Sequence, residues 1–208
     1  MTTSDLRLIA HDLTCLRGGR LVFEGLSFTV TAGTALVLTG PNGSGKSSLL
    51  RQIAGLLDLA EGTLLLEGGD GERSIAEQSH YVGHLDALKP SMSVIETLRF
   101  HVAYLEGDAG LIDTALEAVA LASLADLPVA YLSAGQKRRL ALARLVAVPR
   151  PLWLLDEPSV ALDKASVERL QNLMNTHLRG GGIIVAATHL DLGLERAQEL
   201  RLGQRVSA

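Results

Sequence analysis

The feature that most constrains the 208-residue chain is the glycine-rich stretch Gly-Pro-Asn-Gly-Ser-Gly-Lys-Ser at residues 40–47. Its spacing is that of a phosphate-binding loop, in which glycines let backbone N–H groups turn toward phosphate oxygens. The apolar stretch Ala35–Thr39 predicts a buried strand before the loop, and apolar residues at helical spacing predict a helix over Ser47–Leu57 after it. These flanks favour a nucleotide site over an ordinary glycine turn. Lys46 is expected to reach the β- and γ-phosphates, and the Ser47 hydroxyl to ligate Mg²⁺.

Composition narrows the class of protein that carries this loop. A net charge of −4 leaves no basic excess for neutralising phosphates, so we expect no nucleic-acid partner. Cys15 is the only cysteine, which excludes an intrachain disulfide and a cysteine zinc cluster. No apolar run reaches the ~18 residues of a membrane helix, and Met1–Asp5 has no signal-peptide character. We therefore expect a cytoplasmic protein whose membrane contact comes through a partner.

Two strand patterns predict an α/β fold. Near the start of the chain, stretches of mixed apolar and polar residues predict an antiparallel sheet; they are Leu6–Leu16 and Val22–Val30, the second with an interruption at Gly25. Thr63–Glu67 is expected to form a further strand after the first helix. Later, short apolar strands alternate with helical patterns, which predicts a mainly parallel sheet with sites at the strand ends. These strands are expected at residues 35–39, 79–84, 152–155 and 183–187.

The segment at about 85–148 carries no strand pattern. Apolar residues recur there at helical spacing, for example at Val94, Leu98 and Val102. We interpret this segment as a helical subdomain inserted into an α/β core of residues 1–84 and 149–208, the two together forming a single domain over 1–208.

An acidic pair follows the apolar strand at 152–155. Asp156 at this strand end is placed to hold Mg²⁺ beside the phosphate loop, and Glu157 can polarise an attacking water. A solvated acidic turn is the alternative interpretation.

The segment Leu-Ser-Ala-Gly-Gln at residues 132–136 opens a further helix. It offers a hydroxyl, a glycine that permits close approach, and free N–H groups at a helix N-terminus, which together suit an anion. Taken alone, the same residues also fit a simple helix cap.

The order of Gly40–Ser47, Leu132–Gln136, Asp156-Glu157, Asp163 and His189 resembles the ATP-binding-cassette (ABC) ATPases, over roughly residues 6–202. This resemblance implies a phosphate-loop fold of ABC type that binds ATP with Mg²⁺ and hydrolyses ATP. It implies catalytic roles for Lys46, for Glu157 as general base, and for His189 as the sensor of the γ-phosphate. Ser47 and Asp156 are the implied metal ligands.

The resemblance also implies a set of nucleotide contacts, some of which are made to the ATP of a second subunit. The contacts are Gly40, Pro41, Asn42, Gly43, Ser44, Gly45, Lys46, Ser47, Ser48, Ser133, Gly135, Gln136 and Asp163. Ser133 and Gly135 are implied to contact the γ-phosphate of ATP held by the opposite subunit, so two copies are expected to pair head to tail across ATP.

The chain departs from the family pattern at two positions. His84 stands where the family has a glutamine near Mg²⁺; a histidine can ligate there only through one neutral nitrogen. Arg17 stands near the position of an aromatic residue that stacks on adenine. Its planar guanidinium can stack in the same way, or it can be a solvated surface charge.

The resemblance further implies integral-membrane partner subunits and a peripheral position on the cytoplasmic side of the inner membrane. Tyr81–His84 and Leu152–Pro158 resemble most closely the ATP-binding subunits of haem-handling transporters for cytochrome c maturation. The competing assignments are the ATPase subunit of another ABC transporter, a soluble ABC protein of translation or DNA repair, and a phosphoryl-transfer kinase. The kinase class leaves residues 132–136 and His189 unexplained.

The segment Leu85–Arg99 is a candidate docking surface for the membrane partner. Four apolar side chains lie in it beside Asp86 and Lys89, namely Leu85, Ala87, Leu88 and Met92. They form a socket for a short helix of a membrane subunit, or they simply pack the helical subdomain.

Overall fold

The computed structural model describes residues 5–203. Residues 1–4 and 204–208 lie outside the described residues. The first of these ranges contains most of the stretch Met1–Asp5 on which the expectation of no signal peptide rests. The chain divides into two compact units, the first made of 1–83, 151–157 and 174–208, the second of 84–150 and 158–173. The predicted subdomain of 85–148 lacks the last of these segments, and its boundaries remain a prediction.

The first unit contains two sheets. Strands β1 (Arg7–Arg17), β2 (Arg20–Thr31) and β4 (Glu61–Glu67) form an antiparallel sheet in the order β2-β1-β4. Strands β3 (Ala35–Thr39), β5 (Ser79–Val82), β6 (Leu152–Asp156), β7 (Ile183–Ala187) and β8 (Ala197–Arg201) form a parallel sheet in the order β5-β6-β7-β3-β8. The predicted α/β fold, mainly parallel with an N-terminal antiparallel part, is confirmed.

The burial of the central parallel strands explains why their sequences are almost entirely apolar. Every residue of β6 and β7 is buried, as expected for central parallel strands that are covered on both faces. The core of this unit joins their side chains to leucines of β1, β3 and helix α1 (Lys46–Ile53). This packing fixes the carboxyl ends of β3, β6 and β7 at one edge of the sheet.

The sequence predictions differ from the first unit at three places. Helix α1 ends at Ile53 rather than Leu57, because Gly55 adopts a left-handed φ of 68° and the Leu56 N–H returns to the Arg51 carbonyl. Strand β2 runs through Gly25, where a register shift replaces the predicted interruption. Strand β8 was not predicted, since its sequence Ala-Gln-Glu-Leu-Arg is mostly polar and exposed.

The second unit is built on helices, and the prediction of an inserted helical part is confirmed. Its helices are α2 (Val94–Tyr104), α3 (Ile112–Ala118), α4 (Ala134–Ala147) and the first part of α5 (Lys164–Arg179). Their apolar faces share a core of their own, which includes Leu98, Leu116 and Leu140. Within residues 5–203, no helix has the length and hydropathy needed to cross a membrane.

Candidate functional site

The phosphate loop connects β3 to α1, and backbone geometry demands glycine at two of its positions. Gly40 has a φ of 128°, and a Cβ there would overlap the Leu202 carbonyl oxygen. Gly45 has a φ of 101°, and a Cβ there would lie 2.7 Å from Val22 and 2.8 Å from Phe23. Both glycines therefore let the backbone follow a path that a side chain would obstruct.

Polar groups of the loop converge on its interior. The Lys46 Nζ donates to the carbonyl oxygens of Gly40 at 2.8 Å and Pro41 at 3.2 Å, and the side chain is buried. The Ser44 hydroxyl is buried and has no hydrogen-bond partner among residues 5–203. A buried ammonium and a buried hydroxyl at the N-terminus of α1 provide charge and donors that suit a phosphate.

The two carboxylates predicted for this site follow the core of β6. Asp156 ends the strand and is buried, and Ala187 of β7 is its register partner. Glu157 leaves the strand with a φ of 47°, and its N–H donates to the Ala187 carbonyl at 2.8 Å. This left-handed turn places a non-glycine residue in a strained conformation directly after a buried strand, as functional sites often do.

His189 joins the phosphate loop to the second carboxylate. It lies two residues beyond β7, and its Nε2 is 3.3 Å from the Asn42 Oδ1 and 3.7 Å from the Glu157 Oε1. The His189 side chain is 51% exposed and that of Glu157 is 20% exposed. The structure therefore brings Asn42, Glu157 and His189 together at the carboxyl edge of the sheet, where solvent and a ligand have access.

The predicted contacts in the second unit have local structural roles. Ser133 caps α4 by accepting from the Gln136 N–H at 3.2 Å, and the Gln136 Oε1 accepts from the Ser133 N–H at 2.8 Å. A Cβ at Gly135 would lie 2.8 Å from the Ala161 carbonyl oxygen. Asp163 accepts from Ser166, and this hydrogen bonding lowers the pKa of the Asp163 carboxyl.

The two positions that depart from the family pattern are both on the surface. Arg17 ends β1 opposite Arg20 and is exposed. His84 is exposed in the second unit, two residues beyond β5. Over residues 5–203 there is no group of three His, Cys, Asp or Glu side chains arranged to hold a metal ion.

Sequence reasoning missed one aromatic residue at the phosphate loop. The Phe23 ring lies against Gly45, although the sequence indicated only a strand residue there. No local pattern distinguishes Phe23 from the other apolar residues of β2, because its contact with the loop depends on how the two sheets of this unit pack.

The fold and this site define a class of protein, and comparison with known proteins agrees. The family model described as ABC transporter matches residues 23–160. The chain belongs to this family, and as an ABC ATPase it binds and hydrolyses ATP.

Individual relatives extend the likeness over nearly the whole chain. The sequence is 55% identical to the cytochrome c biogenesis ATP-binding export protein CcmA of Rhodopseudomonas palustris strain BisB5, over 94% of this chain and 98% of that protein. It is 56% identical to the protein of the same name from Mesorhizobium japonicum, over 95% of this chain and 98% of that protein. A solved structure described as a putative ABC transporter ATP-binding protein from Pyrococcus furiosus shares the fold, with a TM-score of 0.80 and 24% sequence identity. The match covers 93% of this chain and 97% of that protein.

Proposed function

We propose that this chain is the ATP-hydrolysing subunit of a membrane ABC complex that exports or releases haem for cytochrome c maturation. Two relatives over 50% identical across nearly their full length are named for ATP-binding export in cytochrome c biogenesis. The observation that carries the ATPase part is the contact of His189 with both Asn42 of the phosphate loop and Glu157.

In this proposal ATP lies along the loop of residues 40–48. The Lys46 ammonium and the amides at the start of α1 bind its phosphates, and the buried Ser44 hydroxyl gains a partner. Mg²⁺ keeps several waters and takes few protein ligands, so one carboxylate and one hydroxyl of the protein are enough for this ion. Ser47 and Asp156 would hold it, with His84 as a further ligand; when bound, it neutralises charge on the β- and γ-phosphates.

Hydrolysis requires a base and a group that positions it. Glu157 is the general base: its carboxylate accepts the proton of the attacking water. His189, 3.7 Å from that carboxylate, aligns it and contacts the γ-phosphate from the side of Asn42. Asp156, the residue before Glu157, is buried and would supply negative charge for the metal.

A second copy completes the nucleotide site. We infer that Ser133, Gly135 and Gln136 at the start of α4 contact the γ-phosphate held by the other copy, with Asp163 nearby. The capping pattern leaves free N–H groups in the first turn of α4 for this contact. Arg17 is the proposed stacking group for adenine.

The proposed membrane partner binds a groove of about 760 Å³ in the second unit. Ala87, Met92 and Phe100 contribute to its lining, and Phe100 is 55% exposed. An exposed aromatic side chain beside Ala87 and Met92 suits the apolar face of a short amphipathic helix from an integral-membrane subunit. Leu88, one of the four apolar candidates of this segment, instead packs against the core of its own unit. The chain then sits peripherally on the cytoplasmic side of the inner membrane, with no nucleic acid involved.

Deletion of the gene tests the haem assignment. The deleted strain should lose c-type cytochromes, measured by haem staining of membrane and periplasmic proteins. Wild-type gene should restore them, whereas a gene carrying Glu157→Gln should not. Normal c-type cytochromes in the deleted strain would refute the haem assignment and leave the ATPase assignment intact.

A further inference from the structure

Arg138 is a buried cation that joins three segments of the second unit. It lies in the second turn of α4 and is 4% exposed. Its Nη1 donates to the Asp86 Oδ1 at 2.9 Å, and its Nε donates to the Pro158 carbonyl oxygen at 3.2 Å. A single guanidinium thus connects the segment that leads into the groove, the helix that Ser133 caps, and the segment that follows Glu157 in the chain.

A second contact joins the same helix to the same segment. Gly135 approaches the Ala161 carbonyl oxygen so closely that a Cβ would lie 2.8 Å from it. Ala161 itself has a φ of 65°, a left-handed conformation that is uncommon for alanine. The first two turns of α4 therefore contact residues 158–161 at two points.

The charges around Arg138 make Asp86 the critical partner. Arg144 lies nearby and is half-buried; desolvation, followed by the charge of Arg138, lowers the pKa of Arg144, while Asp86 acts in the opposite direction. Arg144 in turn helps to lower the pKa of His101, a residue of the groove lining, to about 4, after desolvation as the main cause. Asp86 thus opposes the positive charge of both guanidiniums, so its loss would affect the position of both.

We propose that Arg138 is a positioning residue for hydrolysis, which transmits the position of the groove segment through Asp86 to Pro158. Pro158 directly follows the proposed base in the chain, so the hydrogen bond from Arg138 to its carbonyl oxygen holds the backbone where the chain leaves Glu157. This inference rests on the proposed roles of the groove and of Glu157. A purely structural ion pair would stabilise the second unit without affecting the turnover step in particular.

Asp86→Asn in the full-length chain tests this link and retains Arg138. Amide hydrogen exchange at residues 159–163 should accelerate at least about fivefold, with other regions unchanged. The kcat for ATP should fall about fivefold while KM stays within about twofold, because the phosphate loop is untouched. Asp86→Glu should restore both values. Glu195→Gln, which breaks the exposed 2.8 Å pair with Arg179, is the matched control and should change neither.

Unchanged exchange at 159–163 in Asp86→Asn would overturn the proposal. So would uniform acceleration across the chain with a lower Tm, the result expected of a structural pair. Arg138→Gln is a second variant and should show the larger loss of kcat. Turnover that survives Glu157→Gln would refute the proposed role of Glu157 instead. The hydrogen-exchange measurement tests the connection from Asp86 through Arg138 to Pro158 whether or not Glu157 is the base.

Discussion

His177, a half-buried histidine of helix α5, should make the stability of this protein fall at mildly acidic pH. The His177 ring stacks on Trp153 with centroids 3.9 Å apart and planes 10° apart, and its Nε2 lies 3.3 Å from the Ile183 carbonyl oxygen. Gly182 lies so close beneath the ring that a Cβ there would overlap it. Burial lowers the pKa of His177 to about 4, although hydrogen bonds to the Ile183 and Pro151 carbonyls oppose the shift.

The size of the effect follows from linkage between protonation and folding. Between pH 6.5 and 4 the unfolded chain binds a proton at His177 and the native protein does not, so the free energy of unfolding falls as pH falls. Each pKa unit corresponds to about 1.4 kcal/mol, so the full loss is roughly 3 kcal/mol, and about 2 kcal/mol of it is reached by pH 5. Above pH 6.5 this residue contributes no pH dependence.

Denaturant unfolding at pH 7 and pH 5 measures this loss. His177→Gln should be less stable at pH 7, because the stacking on Trp153 is lost, yet its stability should fall by about 2 kcal/mol less between the two pH values. His11→Gln, at a side chain that is 72% exposed, is the matched control and should keep the parental slope. Parallel pH dependence in parent and His177→Gln would refute the reasoning.

Three further predictions concern nucleotide and partners. Glu157→Gln should dimerise with ATP and separate without it, as measured by light scattering; a monomer at saturating ATP would weaken the proposed pairing across ATP. Phe100→Glu should keep basal ATPase activity within about twofold but abolish c-type cytochrome production in cells, because a charge buried on docking opposes binding of an apolar helix face. The control is Tyr131→Glu, at a residue that is 75% exposed and lies outside the groove lining; it should keep c-type cytochrome production. Arg17→Ala should raise the KM for ATP by about 5–10-fold, because one stacking contact of about 1 kcal/mol is lost. Arg20→Ala, at the residue paired with Arg17 in the same hairpin, should leave the KM unchanged. Equal KM values in the two variants would exclude stacking by Arg17.

The sequence was most informative where local pattern and backbone chemistry coincide. The phosphate loop could be predicted because strand, glycines and helix follow one another within 20 residues, and no distant contact is needed to recognise them. The apolar strands at 152–155 and 183–187 were equally clear, since central parallel strands are buried on both faces. Their order then predicted that Asp156, Glu157 and His189 lie at one sheet edge.

The features that escaped prediction depend on contacts between distant segments. Strand β8 is an exposed edge strand defined by its pairing with β3, which its polar sequence does not reveal. The contact of Phe23 with Gly45 and the link from Asp86 through Arg138 to Pro158 each join residues far apart in the chain. Leu88 could not be distinguished from groove residues, because an apolar side chain in a loop carries no signal of the face it covers.

Phosphate release by purified Glu157→Gln tests the central claim most directly. With Mg-ATP present, this variant should bind ATP as the parent does and release phosphate at least about 100-fold more slowly, because only activation of the attacking water is removed. Lys46→Ala, measured beside it, should lose ATP binding itself, because the buried ammonium of the phosphate loop is gone. Equal loss of ATP binding in both variants, or parental phosphate release by Glu157→Gln, would contradict the assignment of Glu157 as the base of this ATPase.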